Sequence, residues 1–173
     1  MTGLRSRQAL LFDWGGTLMK CPPDAVGPMC AWPVIEVFPG VEAALRRLHP
    51  GMIVALATNA ADSDEADIRK ALARGGLDDL VDTVFCFRKL ACRKPSPAFY
   101  EAVLDGLGLD ASRVFMVGDS FDGDVLAANA LQIRAVWFNP RADSRPQGEL
   151  FRTIYHFREL PDALRDFGAE LPA

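Results

Sequence analysis

Apolar runs of strand length alternate along this chain with segments whose apolar residues keep helical spacing, and that alternation limits the folds open to it. The runs are residues 8–13, 52–57, 83–87, 113–117 and 133–138. Between them the 3.6-residue period returns. Val41, Ala44, Leu45 and Leu48 share one helical face, Ile68 and Leu72 a second, and Phe99, Val103 and Leu107 a third. A fourth helix is expected over 124–131. Residues 153–157 make a sixth short run, and Leu160, Leu164 and Phe167 stripe a closing helix. Strands joined through single helices run parallel, because a crossover returns the chain to the same end of the sheet. The pattern therefore predicts an α/β, Rossmann-like three-layer fold with a central parallel sheet of five to six strands.

Local signals bound the elements. Pro39-Gly40 and Pro50-Gly51 bracket the first helix. Asp62, with Glu65 three residues later, resembles a capping box and is expected to open the second, which Gly75-Gly76 stops. Ser96-Pro97 starts the third, and Gly106 and Gly108 mark its end. Residues 139–149 are polar and proline-containing, and read as loop. With 173 residues, half of them hydrophobic, and no repeat or linker, the expectation is one domain over 1–173.

Charge and cysteine usage exclude several classes. Nineteen basic and 23 acidic residues leave a net charge of −4, which gives no support for nucleic-acid binding. The cluster Arg88, Lys89, Arg93 and Lys94 is most simply a solvated face. Arg5 and Arg7 precede an apolar run too short for a signal peptide or a membrane span, so no membrane association and a cytoplasmic location are expected. Cys21, Cys30, Cys86 and Cys92 lack metal-site spacing and read as reduced, partly buried thiols. His49 and His156 stand in unrelated contexts, against a histidine-based dyad.

In open parallel sheets, ligands bind beyond the carboxyl ends of the strands. Asp13, Thr58-Asn59 and Asp119 each follow an apolar strand, and Lys94 follows the third strand after a short loop. Singly, each reads as readily as a cap or turn residue. Together, on successive strand ends, they form a constellation.

That constellation resembles the haloacid dehalogenase-like hydrolases, most of which are magnesium-dependent phosphatases. Asp13-Trp14-Gly15-Gly16-Thr17 matches four-fifths of the family's Asp-x-Asp-Gly-Thr motif. The strand ending at Thr58-Asn59 matches the second motif, Arg93-Lys94-Pro95 the third, and Gly118-Asp119 with Asp124 the fourth. The resemblance implies a phosphate monoester hydrolase acting through an aspartyl-phosphate on Asp13, with Lys94 as the second catalytic residue. It implies that Gly16, Thr58, Asn59 and Lys94 bind the phosphate through a hydroxyl, an ammonium and backbone N–H groups. It also implies Mg²⁺ held by Asp13, the Gly15 backbone carbonyl, Asp119 and, directly or through water, Asp124. The chemistry suits these residue types: a carboxylate nucleophile splits the reaction in two, and a hard cation takes oxygen ligands.

Two departures matter. Family phosphatases carry an aspartate two residues after the nucleophile to move a proton; here Gly15 has no side chain. General acid–base help is worth about 10²–10⁴-fold in rate. Three readings stay open: a slower phosphatase for good leaving groups, a substitute carboxylate (Asp24, Asp62 or Asp122), or a phospho-ligand-binding or scaffold protein of little or no activity. The motif is also similar to that of phosphonoacetaldehyde hydrolase, which needs a cap lysine. The second departure is length: the intervals between motifs leave no room for a large cap domain. An open site is expected, acting on a phosphorylated small molecule or a larger phosphorylated substrate, with a homo-oligomer as a way to cover it. The loop 20–38, with Met29 and Trp32, is expected over the site as a flap, a dimer contact or a packed core edge.

Overall fold

The computed structural model describes residues 7–141 and 143–172; Arg5 and Ala142, from the segments read above, lie outside the described residues. The elements run β1 (Gln8–Phe12), α1 (Val41–Leu48), β2 (Met52–Thr58), α2 (Glu65–Arg74), β3 (Thr83–Cys86), α3 (Phe87–Leu90), α4 (Pro97–Leu107), β4 (Val114–Gly118), α5 (Ala127–Ala130), β5 (Arg134–Phe138), β6 (Phe151–Ile154) and α6 (Leu160–Asp166). The strands form one sheet in the order β3-β2-β1-β4-β5-β6, every pair parallel. The Rossmann-like, six-stranded expectation holds.

Alternation along the strands builds two cores. Leu10, Phe12, Val54, Leu56, Phe115 and Val117 face one side, where α1, α2 and α6 cover them. Ala9, Leu11, Ala55, Ala57, Val114 and Met116 face the other, beneath α4 and α5. Both faces are dry, which is why the strands read as continuous apolar runs. Burying one such side chain is worth about 1.5–3 kcal/mol, so the sheet centre is the most strongly fixed part of the molecule. Strand order reverses between β1 and β4, and Asp13 and Asp119 stand just beyond those two strands. That is where a crevice opens in this topology.

Between β1 and α1 the chain makes a compact flap. The Leu18 and Met19 N–H groups both donate to the Trp14 carbonyl, at 2.9 and 3.1 Å. Lys20 N–H to Glu36 O (2.8 Å) and Phe38 N–H to Leu18 O (2.9 Å) then pair the two ends of the loop. Among the described residues there is no large cap domain and no helix long and apolar enough to cross a membrane.

Three local expectations are corrected. The N-cap of α2 is Asp64, whose carboxylate accepts the Asp67 N–H at 2.9 Å; Asp62 lies two residues before that cap. Phe87 starts the short α3 rather than ending β3, which stops where its pairing with β2 ends at Cys86. The expected helix over 124–131 begins earlier, as a wide turn over Phe121–Leu126 that continues into α5. There the Ser120 carbonyl accepts from both Asp124 (2.8 Å) and Val125 (3.3 Å).

Candidate active site

The four segments picked out above converge at the carboxyl ends of β1, β2 and β4. Lys94 is 4% exposed and reaches two carboxylates, with Nζ 2.8 Å from Asp13 Oδ1 and 2.6 Å from Asp124 Oδ1. It belongs to the site, not to a solvated basic face. Burial works against its charge, but Asp13 and Asp124 overcome that and hold its pKa above the usual lysine value. Asn59 fixes the backbone from which Lys94 projects: its Oδ1 accepts the Lys94 N–H at 2.8 Å and its Nδ2 donates to the Lys94 carbonyl at 2.9 Å. The Asn59 side chain is thus occupied in holding Lys94, leaving only its backbone N–H for the phosphate role expected of it.

Thr17, fully buried, joins the other two carboxylates. Its hydroxyl lies 3.2 Å from both Asp13 Oδ2 and Asp119 Oδ1, and it accepts the Asp119 N–H at 3.1 Å. One hydroxyl proton serves two carboxylates, a geometry that ties Asp119 to Asp13. Gly16 makes this possible. Its φ is +89°, and a Cβ there would collide with the Asp119 carboxylate. The Gly16 N–H already donates to the Met19 carbonyl at 2.7 Å.

Asp124 is buried. Its second oxygen accepts the Ser120 N–H at 3.0 Å. Burial pushes its carboxyl up to about 6, against the pull of Lys94. Asp119 is exposed at its outer face; desolvation of the rest and the Asp13 charge raise it as well. Tyr100 braces this corner from α4, donating to the Gly123 carbonyl at 2.9 Å. Its burial, with Asp124 and Asp13 beyond, keeps the phenol protonated far above the ordinary range.

One oxygen each from Asp13, Asp119 and Asp124 lie within 4.8 Å of one another. Three carboxylates so close, with one ammonium among them, make an all-oxygen donor set with uncompensated negative charge. That set fits a hard divalent cation such as Mg²⁺.

Two cavities flank Asp13's loop. The smaller, about 270 Å³, is lined by Asp13, Gly15, Thr58, Met29, Trp32 and Asp62. The larger, about 760 Å³, is lined by Gly16, Lys20, Glu36, Asp119 and Arg141. Cys21 lies between and lines both. Its Sγ stands 2.6 Å from where a Cβ on Gly15 would be, so this thiol occupies the room of the missing side chain. Burial first, then the Asp13 and Asp119 charges, push the thiol up. Of the substitute carboxylates considered, Asp62 shares the Asp13 cavity; Asp24 and Asp122 line neither. The flap residue Trp32 both packs on the core edge and lines the smaller cavity. The cysteines are free, Cys86 alone fully buried and Cys21 exposed.

The sequence motifs did not single out Thr17 as a link, the Asn59 side chain as a clamp, or Cys21 as a neighbour of Gly15. Thr17 stood inside a matched motif, so a signal existed. The other two depend on contacts between remote segments.

The chain is similar to several known proteins. A phosphoglycolate phosphatase from Cereibacter sphaeroides is 37% identical over 133 residues, covering 75% of this chain and 58% of that protein. The D-glycero-beta-D-manno-heptose-1,7-bisphosphate 7-phosphatase of Pseudomonas aeruginosa is 29% identical over 148 residues, covering 76% and 80%. The chain spans about half the length of the first curated relatives it matches. In fold it is similar to an uncharacterized protein from Listeria monocytogenes serotype 4b, with a TM-score of 0.81, 24% identity, and coverage of 93% and 98%. The family model for haloacid dehalogenase-like hydrolase matches residues 24–132, more than half of the chain. The chain belongs to the haloacid dehalogenase-like hydrolase family.

Proposed function

We propose that this protein is a Mg²⁺-dependent phosphate monoester hydrolase whose nucleophile is Asp13. The observation that carries the reading is the placement of Asp13: a carboxylate at a strand end, 2.8 Å from a buried ammonium and grouped with Asp119 and Asp124. The names of the relatives, a phosphoglycolate phosphatase and a heptose-bisphosphate phosphatase, support phosphoester chemistry. Phosphonoacetaldehyde hydrolysis would need a cap lysine, and no large cap is present among the described residues.

Asp13, Asp119 and Asp124, with the Gly15 carbonyl, would hold the Mg²⁺. Once bound, the ion would neutralise charge between carboxylate and phosphoryl oxygens. Lys94 orients Asp13 through its 2.8 Å contact and offers positive charge to the transferring group. Thr17 fixes the second Asp13 oxygen. The Thr58 hydroxyl, at the end of β2 in the same cavity, donates to a phosphoryl oxygen. An Asp13 oxygen forms a bond to phosphorus as the ester P–O bond breaks, and the leaving group departs as its oxyanion with the bonding electrons and takes a proton from solvent. Water then displaces the Asp13 carboxylate from phosphorus and releases orthophosphate. Gly15 supplies no proton in the first step and takes none in the second. Esters whose leaving group is stable as an anion are therefore favoured, and the second step is slow.

The test is release of 4-nitrophenol from its phosphate ester. The expected result is Mg²⁺-dependent turnover that D13N abolishes. Turnover is expected to be preceded by a burst equal to the enzyme concentration, because dephosphorylation limits. Absence of turnover with every activated ester would leave the phospho-ligand-binding reading.

A further inference from the structure

We infer that the segment 27–33 of the flap selects the leaving group, admitting a short, apolar, uncharged group held against Met29 and Trp32, with Arg74 as the residue that positions this wall. The inference rests on the phosphatase reading above and deepens it.

Of the two cavities, the smaller contains the nucleophile, so a group bonded to a phosphoryl at Asp13 has its room there. About 270 Å³ is small for a ligand site, and the phosphoryl group takes part of it. Met29 and Trp32 line this cavity together with Thr58 and Asn59. Among the described residues no lysine, arginine or histidine lines this cavity, whereas Asp13 and Asp62 do. Lys94 lies beneath Asp13 with 3% of its side chain exposed. The Asp13 charge is already paired with Lys94, so an anionic leaving group would meet chiefly the Asp62 carboxylate, at a cost that rises in so confined a space. On the other side of the loop the larger cavity does carry cations in its lining, Lys20 and Arg141. The absence of a proton donor at Gly15 points the same way, toward a leaving group stable as its anion, such as an aryl oxide.

The wall is fastened from outside. Arg74, the last residue of α2, donates Nη1 to the carbonyls of Cys30 (2.9 Å) and Trp32 (2.7 Å), and Nη2 to that of Pro33 (3.1 Å). Trp32 Nε1 donates to the Gly27 carbonyl at 3.0 Å, which closes the segment on itself. Met29 is 5% exposed and packs into the core. A planar fork across three carbonyls is a task lysine cannot repeat.

The test uses the full chain with Mg²⁺ and two esters that differ by one carboxylate, phenyl phosphate and 4-carboxyphenyl phosphate; D62N separates the effect of that charge from the effect of its size. The carboxyl group makes the second a better leaving group, so intrinsic reactivity runs opposite to the expectation. Wild-type kcat/KM is expected to favour phenyl phosphate by about tenfold. D62N should bring the two within about threefold, by removing the like charge. R74A should raise KM for phenyl phosphate about tenfold, with R74K between, while the inhibition constant of orthophosphate shifts less than about twofold. Orthophosphate reads the phosphoryl end alone, so a general loss of structure would move both. Wild-type turnover that favours the carboxylated ester overturns this inference alone, as does an R74A in which both constants shift together. No turnover of either ester overturns the phosphatase reading and this inference with it.

Discussion

Asp124 and Asp119 stand in one carboxylate cluster and live in different surroundings. Asp124 is buried, with one oxygen on Lys94 at 2.6 Å and the other on the Ser120 amide. Asp119 is exposed at its outer face, held by Thr17 and facing the larger cavity. The first is part of the protein's interior, and its partner cannot be removed without leaving a charge in the dark. The second faces solvent and can change at little structural cost. One half of the site is therefore bound up with folding, and the other is nearly free of it.

The largest effect is expected at the buried half. K94M leaves Asp13 and Asp124 without their counter-charge and should cost about 3–5 kcal/mol of stability, together with turnover, in urea unfolding of the metal-free protein. Equal stability of K94M and wild type would break the contrast.

Next comes the junction between the halves. G15D alone must displace Cys21, whose Sγ lies 2.6 Å from the new Cβ. The double variant G15D/C21A gives the carboxylate room. It should raise kcat on esters with poor leaving groups by about 10²-fold or more and abolish the burst. A decrease in the double variant would mean that Gly15 serves backbone geometry, not room.

pH separates the halves by a smaller amount. Burial holds the Asp124 carboxyl at about 6, above the usual carboxylate range. Its raised value means that folding takes up a proton there. The stability this group contributes is fully present below about pH 4 and lost as pH rises through about 6. D124N should flatten that slope in the metal-free protein, leaving the part due to the raised Asp119. Cation binding opposes protonation, so apparent Mg²⁺ affinity should climb across the same window.

The smallest change in stability belongs to D119N, within about 1 kcal/mol of wild type, although Mg²⁺-dependent turnover should be lost. Destabilisation as large as that of K94M would erase the distinction.

The sequence made the strands legible because both faces of the sheet are dry, so β1 after Gln8, and all of β4, carry no polar side chain. Strand ends were legible for the same reason: Asp13 and Asp119 are the first polar residues after runs that tolerate none. The helix start at Asp64 was harder. Asp62 and Asp64 both offer a carboxylate near the same turn, and only the backbone decides which caps it. The wide turn over Phe121–Leu126 has no period of its own to read. Side chains that act across the fold were the least visible. Arg74 reads as an ordinary last-turn cation on α2, and nothing local tells that three carbonyls from residues 30–33 wait for it.

Gly118 carries a consequence of its own. A Cβ on this last residue of β4 would run into the Asp124 side chain, just as one on Gly16 would run into Asp119. Each of those carboxylates sits in a notch that a glycine leaves open. G118A and G16A would therefore silence the protein with every reactive group still present in the chain. A screen that tracks only the acidic residues and the lysine would pass such a chain as intact. Reading which relatives of this protein are live enzymes thus depends as much on two hydrogen atoms as on the charged groups they make room for.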